Sequence, residues 1–200
     1  MNRRHRFVGR IAGVGSTSGT RLVVGHWHDT PLGPFSDVMV ERSDGRRVLL
    51  APSDEVAAFV EATYTFDEVR IEPVQVTSEH SWTVRTPSLS AVLTPGTRTA
   101  LGRLLRLVPT VVATSPTWCR LTDPVARVVL SGVRTRGTAG QGRQEYYGAT
   151  DMHRVVAFGG TFDGVDLGTL RPVDPPCRFG FSSTPRRPSI TAVTTTVSSG

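Results

Sequence analysis

The stretches Asp37-Val-Met-Val-Glu41 and Arg47-Val-Leu-Leu-Ala51 are short apolar runs separated by Ser43-Asp-Gly-Arg46. An Asp-Gly pair between two apolar runs is a strong hairpin signal, because glycine readily adopts the positive φ that a tight turn requires. The sequence therefore predicts two antiparallel strands joined by this turn.

A second hairpin is predicted on the N-terminal side of the first. Arg6 to Val14 and Thr20 to Trp27 are rich in apolar and β-branched residues, and the turn-forming segment Gly15-Ser-Thr-Ser-Gly19 connects them. Short strand-like runs on either side of such a segment are typical of a β-hairpin.

A helix is predicted on the C-terminal side. Ser53 precedes Asp54 and Glu55, which is the pattern of an N-cap followed by negative charge in the first turn. Apolar residues then recur at helical spacing, so the sequence predicts an amphipathic helix from Ser53 to about Tyr64.

The rest of the chain contains further strand signals and one helical region. The strand signals lie at 66–76, 82–85, 89–93, 133–137, 143–150, 155–162 and 189–197, and the helical signals lie at 98–108 and 118–130, the second interrupted by Pro124. About ten short strands predict a single, mainly β domain over residues 1–200, an antiparallel β-barrel with a helical insertion at about 97–131.

The composition excludes several kinds of chemistry. All 23 basic residues are arginine, and the formal net charge is +6. Because the chain contains no lysine, it cannot form a lysine Schiff base, attach pyridoxal phosphate or contain a Walker A loop. The arginines are dispersed, apart from short runs near the two ends, and this disfavours nucleic acid as a partner.

The remaining compositional signals are weaker. No apolar run is long enough to span a membrane and the first ten residues do not resemble a signal peptide, so we expect a cytoplasmic protein. Cys119 and Cys177 lack CxxC spacing and are expected to be reduced. His26 and His28 share a strand face, but no third ligand stands at a diagnostic spacing, so the sequence predicts neither a metal site nor a cofactor.

Two sets of alternating residues are candidates for ligand binding. Arg134 and Arg136 share one strand face, and Arg143, Glu145 and Tyr147 share another. Paired guanidinium groups can bind a carboxylate or phosphate, whereas the alternative is an outward-facing, solvated sheet with cross-strand ion pairs. We select Arg134, Arg136 and Tyr147 as candidate ligand-binding residues.

A distant family resemblance covers about a fifth of the chain. The segment Pro34-Phe-Ser-Asp-Val-Met-Val40, the hairpin, the helix and then Tyr64-Thr-Phe-Asp-Glu-Val-Arg70 together resemble the acetoacetate decarboxylase-like superfamily. The resemblance implies a cone-shaped β-barrel with a pocket, places Asp37 at the position of a pocket glutamate and places Tyr64 and Phe66 at aromatic ligand-binding positions. It also implies assembly into a homo-oligomer.

The same resemblance puts Glu68 at the position of the Schiff-base lysine. Glutamate cannot form an imine, so decarboxylation by that route is excluded. If Asp37 and Glu68 both project inward, they are two carboxylates in one low-dielectric site, which suits general acid–base catalysis on a neutral ligand. If Val69 and Ile71 are instead the buried residues, Glu68 points outward.

These observations lead to two functional hypotheses. The first is a β-barrel that binds a small organic ligand, such as an organic acid, and acts as a lysine-independent lyase, isomerase or cyclase with Asp37 and Glu68 as catalytic residues. The second is a binding module for an anionic partner, either nucleic acid or a membrane surface, contacted through Arg98, Arg103 and Arg106.

Overall fold

The computed structural model describes residues 4–129, 133–138 and 144–198, and within them it contains thirteen strands and four helices. The strands are β1 (Arg4–Ser16), β2 (Arg21–Asp29), β3 (Phe35–Glu41), β4 (Arg47–Ala51), β5 (Glu68–Ile71), β6 (Gln75–Thr77), β7 (Trp82–Arg85), β8 (Leu89–Arg98), β9 (Arg136–Thr138), β10 (Gln144–Phe162), β11 (Val165–Asp166), β12 (Leu170–Arg171) and β13 (Ser189–Ser198). The helices are α1 (Asp54–Glu61), α2 (Ala100–Leu105), α3 (Thr110–Ala113) and α4 (Pro116–Val129).

All strands belong to one curled sheet with the order β5-β4-β3-β2-β1-β13-β10-β8-β7-β6. The short strands β9 and β11 pair with β10, and β12 pairs with β1. The sheet is mixed, because β4 and β5 run parallel whereas the other pairs are antiparallel.

Several local predictions are confirmed. The β1–β2 and β3–β4 hairpins form where the turn signals lie, and β7 and β8 form a third hairpin. Helix α1 begins after Ser53, whose Oγ accepts a hydrogen bond from the backbone N–H of Val56 at 3.3 Å. Helix α4, in contrast, continues through Pro124 instead of breaking there.

The sheet departs from the predicted antiparallel arrangement at β5, which runs parallel to β4. Helix α1 carries the chain from the end of β4 back to the start of β5, so the two strands enter the sheet in the same direction. A helical crossover of this kind joins parallel strands, whereas a tight turn joins antiparallel ones.

The prediction of a closed barrel is also wrong, because the sheet forms a half-barrel. The single strand predicted at 66–76 is divided at Pro73 into β5 and β6, which lie at opposite ends of the sheet order. Proline has no N–H to donate to a strand ladder, so the chain crosses the open side without pairing.

Side chains bridge the open side of the half-barrel. Arg70 on β5 donates to Asp163 at 2.6 Å and to Ser88 Oγ at 2.9 Å, and these two partners lie in the turns after β10 and β7. Glu72 accepts a hydrogen bond from Ser88 Oγ at 2.8 Å. Ion pairs and side-chain hydrogen bonds therefore connect the two edges of the sheet, which backbone hydrogen bonds would connect in a closed barrel.

The two faces of the sheet have different roles. The face enclosed by the curl forms an apolar core to which both ends of the sheet contribute; it includes Val38, Val40, Val48, Leu50, Trp82, Val84, Leu93 and Phe158. The opposite face carries Val23, Met39 and Leu49 and is covered by α1 and by residues 173–179. The interior of the curl is thus an apolar core formed by packed side chains.

The helices α2, α3 and α4, which we call the helical cap, lie within the predicted insertion at 97–131, whose residues 130 and 131 are outside the described ranges. The cap approaches β10 at two glycines. A Cβ on Gly102 would clash with the backbone of Met152, and a Cβ on Gly148 would clash with the backbone of Ala113 and Thr114. None of the described helices is long and apolar enough to cross a membrane.

A buried carboxylate anchors the segment 177–185 to the sheet. Glu41 at the end of β3 has 0% of its side chain exposed and pairs with Arg21 at 2.9 Å and with Arg178 Nε at 3.0 Å. It also accepts the backbone N–H of Arg178 at 2.8 Å. A buried charge with several donors is stable only while those donors stay in place.

We expect the substitution Glu41→Gln to lower the free energy of unfolding by about 3 kcal/mol, because it leaves the buried Arg21 guanidinium without its counter-charge. Chemical denaturation monitored by circular dichroism measures this change. Glu79→Gln, at an exposed position, is the matched control. Equal stability of the two variants would contradict an anchoring role for Glu41.

Candidate functional site

A cavity of about 410 Å³ lies between the outer face of the sheet, the helical cap and the segment 177–185. We call it the main cavity. Most of its lining side chains are apolar, including Ile11, Val23, Met39, Leu101, Leu105 and Val193. Its volume lies within the range of small-molecule sites, which are typically apolar with a few placed polar groups.

A smaller space of about 60 Å³, the inner chamber, adjoins the main cavity beneath α1. The two spaces share the lining residues Ile11, Val23, Met39, Tyr64 and Tyr147. The inner chamber also contains two buried carboxyl groups, Asp37 at 4% exposure and Glu145 at 3%. The polar end of the site is therefore this chamber.

Asp37 is held by its neighbours on β2. It stands opposite Gly25 in the strand register and accepts a hydrogen bond from the indole N–H of Trp27 at 3.0 Å. A side chain at Gly25 would clash with both Asp37 Oδ1 and Trp27 Nε1, so this close arrangement requires glycine. Burial raises the pKa of Asp37 to about 6, and the bond from Trp27 opposes that shift.

Glu145 is the acceptor of a chain of hydroxyl groups. Its two oxygens accept hydrogen bonds from Thr63 Oγ1 and, at 2.8 Å, from the hydroxyl of Tyr147. The hydroxyls of Tyr64 and Tyr147 are hydrogen-bonded to each other. Burial raises the pKa of both phenols, with the charge of Glu145 contributing, so both remain protonated at neutral pH.

The donor count fixes the direction of this chain. A phenol has one O–H to donate. When Glu145 is ionised, the Tyr147 hydroxyl donates its hydrogen bond to Glu145, and the Tyr64 hydroxyl donates its hydrogen bond to Tyr147. The free lone pairs of Tyr64, together with Asp37 when it is ionised, make this end of the site a hydrogen-bond acceptor.

Buried hydroxyls without partners also face these spaces. Ser189 Oγ lines the main cavity and Thr195 lines the inner chamber, and neither side-chain oxygen has a hydrogen-bond partner among the described residues. Leaving a buried hydroxyl unsatisfied costs about 1–3 kcal/mol. A bound ligand with polar groups at these positions would remove that cost.

The structure places three of the predicted site residues together. Asp37, Tyr64 and Tyr147 line the inner chamber, although Tyr64 and Tyr147 are far apart in sequence. Arg134 lines the main cavity with an exposed side chain, whereas the exposed Arg136 on β9 lines neither space. Phe66 packs against Phe179, with ring centroids 5.7 Å apart, and also lies outside both linings.

The structure does not bring Glu68 to Asp37, which corrects the expected carboxylate pair. Glu68 stands in register with Val48, whose side chain lies in the interior core, while Asp37 is on the opposite face beside Met39. Glu68 pairs with Arg70 at 2.6 Å and with Arg46 at 3.0 Å. The hydrogen bond from Arg70 lowers the pKa of Glu68, so it is a half-buried, ionised carboxylate paired with two arginines.

Glu145, Ser189 and Thr195 line the site but are absent from the set predicted from the sequence. Alternation places Glu145 on the same strand face as Tyr147, which is the signal that could have selected it. It also groups Arg143 with them, but Arg143 lies outside the described residues. No sequence pattern distinguishes Ser189 and Thr195 from the many other hydroxyl residues of this chain.

The two cysteines are buried and free, and burial raises the pKa of each thiol to about 11. Cys177 contributes to the wall of the main cavity. At neutral pH both are thiols, which are weak nucleophiles compared with thiolates.

Comparison with known proteins gives no relatives. The chain has no significant match to any family model, curated protein or solved structure. The resemblance to the acetoacetate decarboxylase-like superfamily therefore stays a prediction.

The raised pKa of Asp37 predicts a specific pH dependence. Because the pKa rises from 3.8 in the unfolded chain to about 6, Asp37 stabilises the fold fully below about pH 4, and this contribution is lost as the pH rises through 6. Relative to Asp37→Asn, the wild type should therefore lose about 2 kcal/mol of unfolding free energy between about pH 4 and about pH 7.

Denaturant titrations of both proteins across this pH range measure the difference. Asp67→Asn is the control, because Arg47 lowers the pKa of Asp67 to about 2 and its contribution should be constant above about pH 5. If the unfolding free energies of the wild type and Asp37→Asn change in the same way with pH, burial does not raise the pKa of Asp37.

Proposed function

We propose that the protein binds a small, largely apolar organic molecule in the main cavity, with a polar group of the ligand directed toward the inner chamber. The main cavity itself is the observation that carries this proposal. It has a volume of about 410 Å³, its lining is mostly apolar, and it adjoins the inner chamber, which contains two buried carboxyl groups. Sites with this distribution orient a ligand by its polar end and stabilise it by apolar burial.

The hydrogen-bonding pattern favours a ligand with a donor at that end. When Glu145 is ionised and accepts the hydrogen bond of Tyr147, Tyr64 donates to Tyr147, so the Tyr64 oxygen offers lone pairs to the cavity. A hydroxyl or amine of the ligand can donate to this oxygen, whereas a carboxylate would then meet the negative charge of Glu145. An organic acid fits this site only with its carboxylate directed toward Arg134.

A matched pair of variants tests ligand binding. Thr191 on β13 projects into the main cavity, and Thr191→Trp should fill part of it. With N-phenyl-1-naphthylamine, a neutral apolar fluorophore that has one N–H donor, we expect this variant to bind at least about tenfold more weakly than the wild type, a loss of about 1.4 kcal/mol. Fluorescence titration measures the dissociation constants.

The control is Thr94→Trp, which places the same side chain at an exposed position on β8. This variant should bind the fluorophore as the wild type does. If Thr191→Trp also binds unchanged, or if the wild type does not bind, the proposed ligand site is wrong.

A second candidate function, acid–base catalysis on the bound ligand, is favoured by the two carboxyl groups of the inner chamber. Asp37 has a pKa of about 6, close to the value at which a group both accepts and releases protons at neutral pH. Glu145 lines the same chamber, so two carboxyl groups face one small space. This arrangement suits lysine-independent isomerase, lyase or cyclase chemistry, with Asp37 as the base and Glu145 orienting the phenols.

Proton exchange into an apolar ketone tests this candidate. We expect the protein to accelerate exchange of the α-hydrogens of 2-tetralone with deuterium oxide, measured by NMR. Asp37→Asn should lower the exchange rate at least about a hundredfold, the usual contribution of a general base. Glu68→Gln should leave it unchanged. Equal losses in both variants, or no exchange by the wild type, would contradict a catalytic role for Asp37.

A further inference from the structure

The outward side of the helical cap exposes large apolar side chains. Leu107 and Val111 are 79% and 84% exposed, which makes them the most exposed large apolar residues among those described, and Leu104 and Leu121 are also exposed. They lie between positions 104 and 121, on the helical cap and its connecting turns. A concentration of exposed leucine and valine in one region indicates an interaction surface.

The same region is basic. Residues 97–122 contain four arginines and neither aspartate nor glutamate. Arg98 pairs with Asp151 at 2.8 Å and Arg120 donates to Tyr146 at 2.8 Å. Arg103 and Arg106 are exposed and form no ion pair with any described residue. We call the exposed set Arg103, Leu104, Arg106, Leu107, Val111 and Leu121 the cap patch.

The combination of charge and apolar exposure selects the kind of partner. A surface that presents leucine and valine beside unpaired arginines matches an anionic lipid surface, where the apolar side chains enter the acyl boundary and the arginines meet the headgroups. Nucleic acid would be attracted by the arginines but would leave Leu107 and Val111 in contact with a polar backbone. A symmetric dimer through this patch would bring Arg103 and Arg106 of two copies together without a compensating acid.

The position of the main cavity adds support. Leu104 is both exposed and part of the cavity lining, so the cap patch lies directly outside the apolar site. A protein lying on a lipid surface by this patch would have its cavity separated from the acyl chains only by the cap. Molecules that dissolve in lipid are also those that an apolar cavity binds best.

We propose that the cap patch docks the protein on anionic lipid surfaces. This interaction goes beyond ligand binding and, apart from Leu104, depends on different residues, so the two can fail separately. The protein in this state lies on the surface, held by the helical cap, with the sheet above it.

Vesicle co-sedimentation tests the docking surface. We expect the full chain to bind vesicles of phosphatidylcholine with about one third phosphatidylglycerol far more strongly than pure phosphatidylcholine vesicles, and to dissociate as salt is raised. Arg103→Gln with Arg106→Gln should weaken binding about fivefold for each arginine removed. Leu107→Ser with Val111→Ser should weaken it about tenfold or more.

Matched controls separate this surface from general charge and hydrophobicity. Arg85→Gln with Arg171→Gln removes two exposed arginines outside the cap, and Val156→Ser with Val165→Ser removes two exposed valines outside it. Both double variants should bind as the wild type does. Thr191→Trp should also keep full vesicle binding while losing the fluorophore.

Three results would overturn the proposal. The first is absence of binding to anionic vesicles at low salt. The second is equal weakening by the cap variants and their controls. The third is loss of vesicle binding only with the arginines and not with Leu107 and Val111, together with arginine-dependent binding of duplex DNA, which would identify nucleic acid as the partner. A concentration-dependent dimer that Leu107→Ser with Val111→Ser dissociates, without vesicle binding, would identify a second copy.

Discussion

Alternation of side chains along β1 to β4, interrupted by a register shift between Val8 and Gly9, is the constraint on which the rest of the structure depends. Alternate residues such as Val38 and Leu50 pack in the apolar interior of the curl. The intervening residues, among them Asp37 and Met39, face α1 and the cavities. The position of the site on the outer face is therefore a consequence of the apolar interior.

The site combines an apolar wall with a small number of buried acids. Burial raises the pKa of Asp37, and the hydrogen bonds from Trp27 and from its own backbone N–H only partly oppose that shift. Glu145 accepts hydrogen bonds from the hydroxyls of Thr63 and Tyr147. The inner chamber therefore brings two buried carboxyl groups together with a chain of hydroxyl groups.

The local elements could be predicted from the sequence because their signals are local. Asp44-Gly45 and the Ser53 N-cap each determine structure within a few residues, and both the hairpin and the helix form there. The direction of β5 was not predictable in the same way, because it depends on how α1 packs on the sheet and where it returns the chain to the sheet edge. That direction and register decide which face Glu68 occupies. The pairing of Tyr64 with Tyr147 requires contacts between distant segments, which periodicity does not reveal.

The fold was only partly predictable for a related reason. Strand number and the helical insertion follow from patterns along the chain, whereas closure depends on whether the first and last strands of the sheet order meet. At Pro73 they do not, and Arg70, Glu72, Ser88 and Asp163 bridge the opening. The segment between β5 and β6, which connects the two edges of the sheet without pairing as a strand, thus separates this half-barrel from a closed barrel.

Gly102 on α2 and Gly148 on β10 allow the helical cap to lie close to the sheet. At Gly102 and Gly148 the cap touches β10 backbone to backbone, with no side chain between them. The separation of cap and sheet is then set by main-chain atoms, whose size does not vary with sequence. Substitutions in the lining can reshape the cavity without changing this separation. An added methyl group at either glycine, in contrast, would push the helical cap and β10 apart.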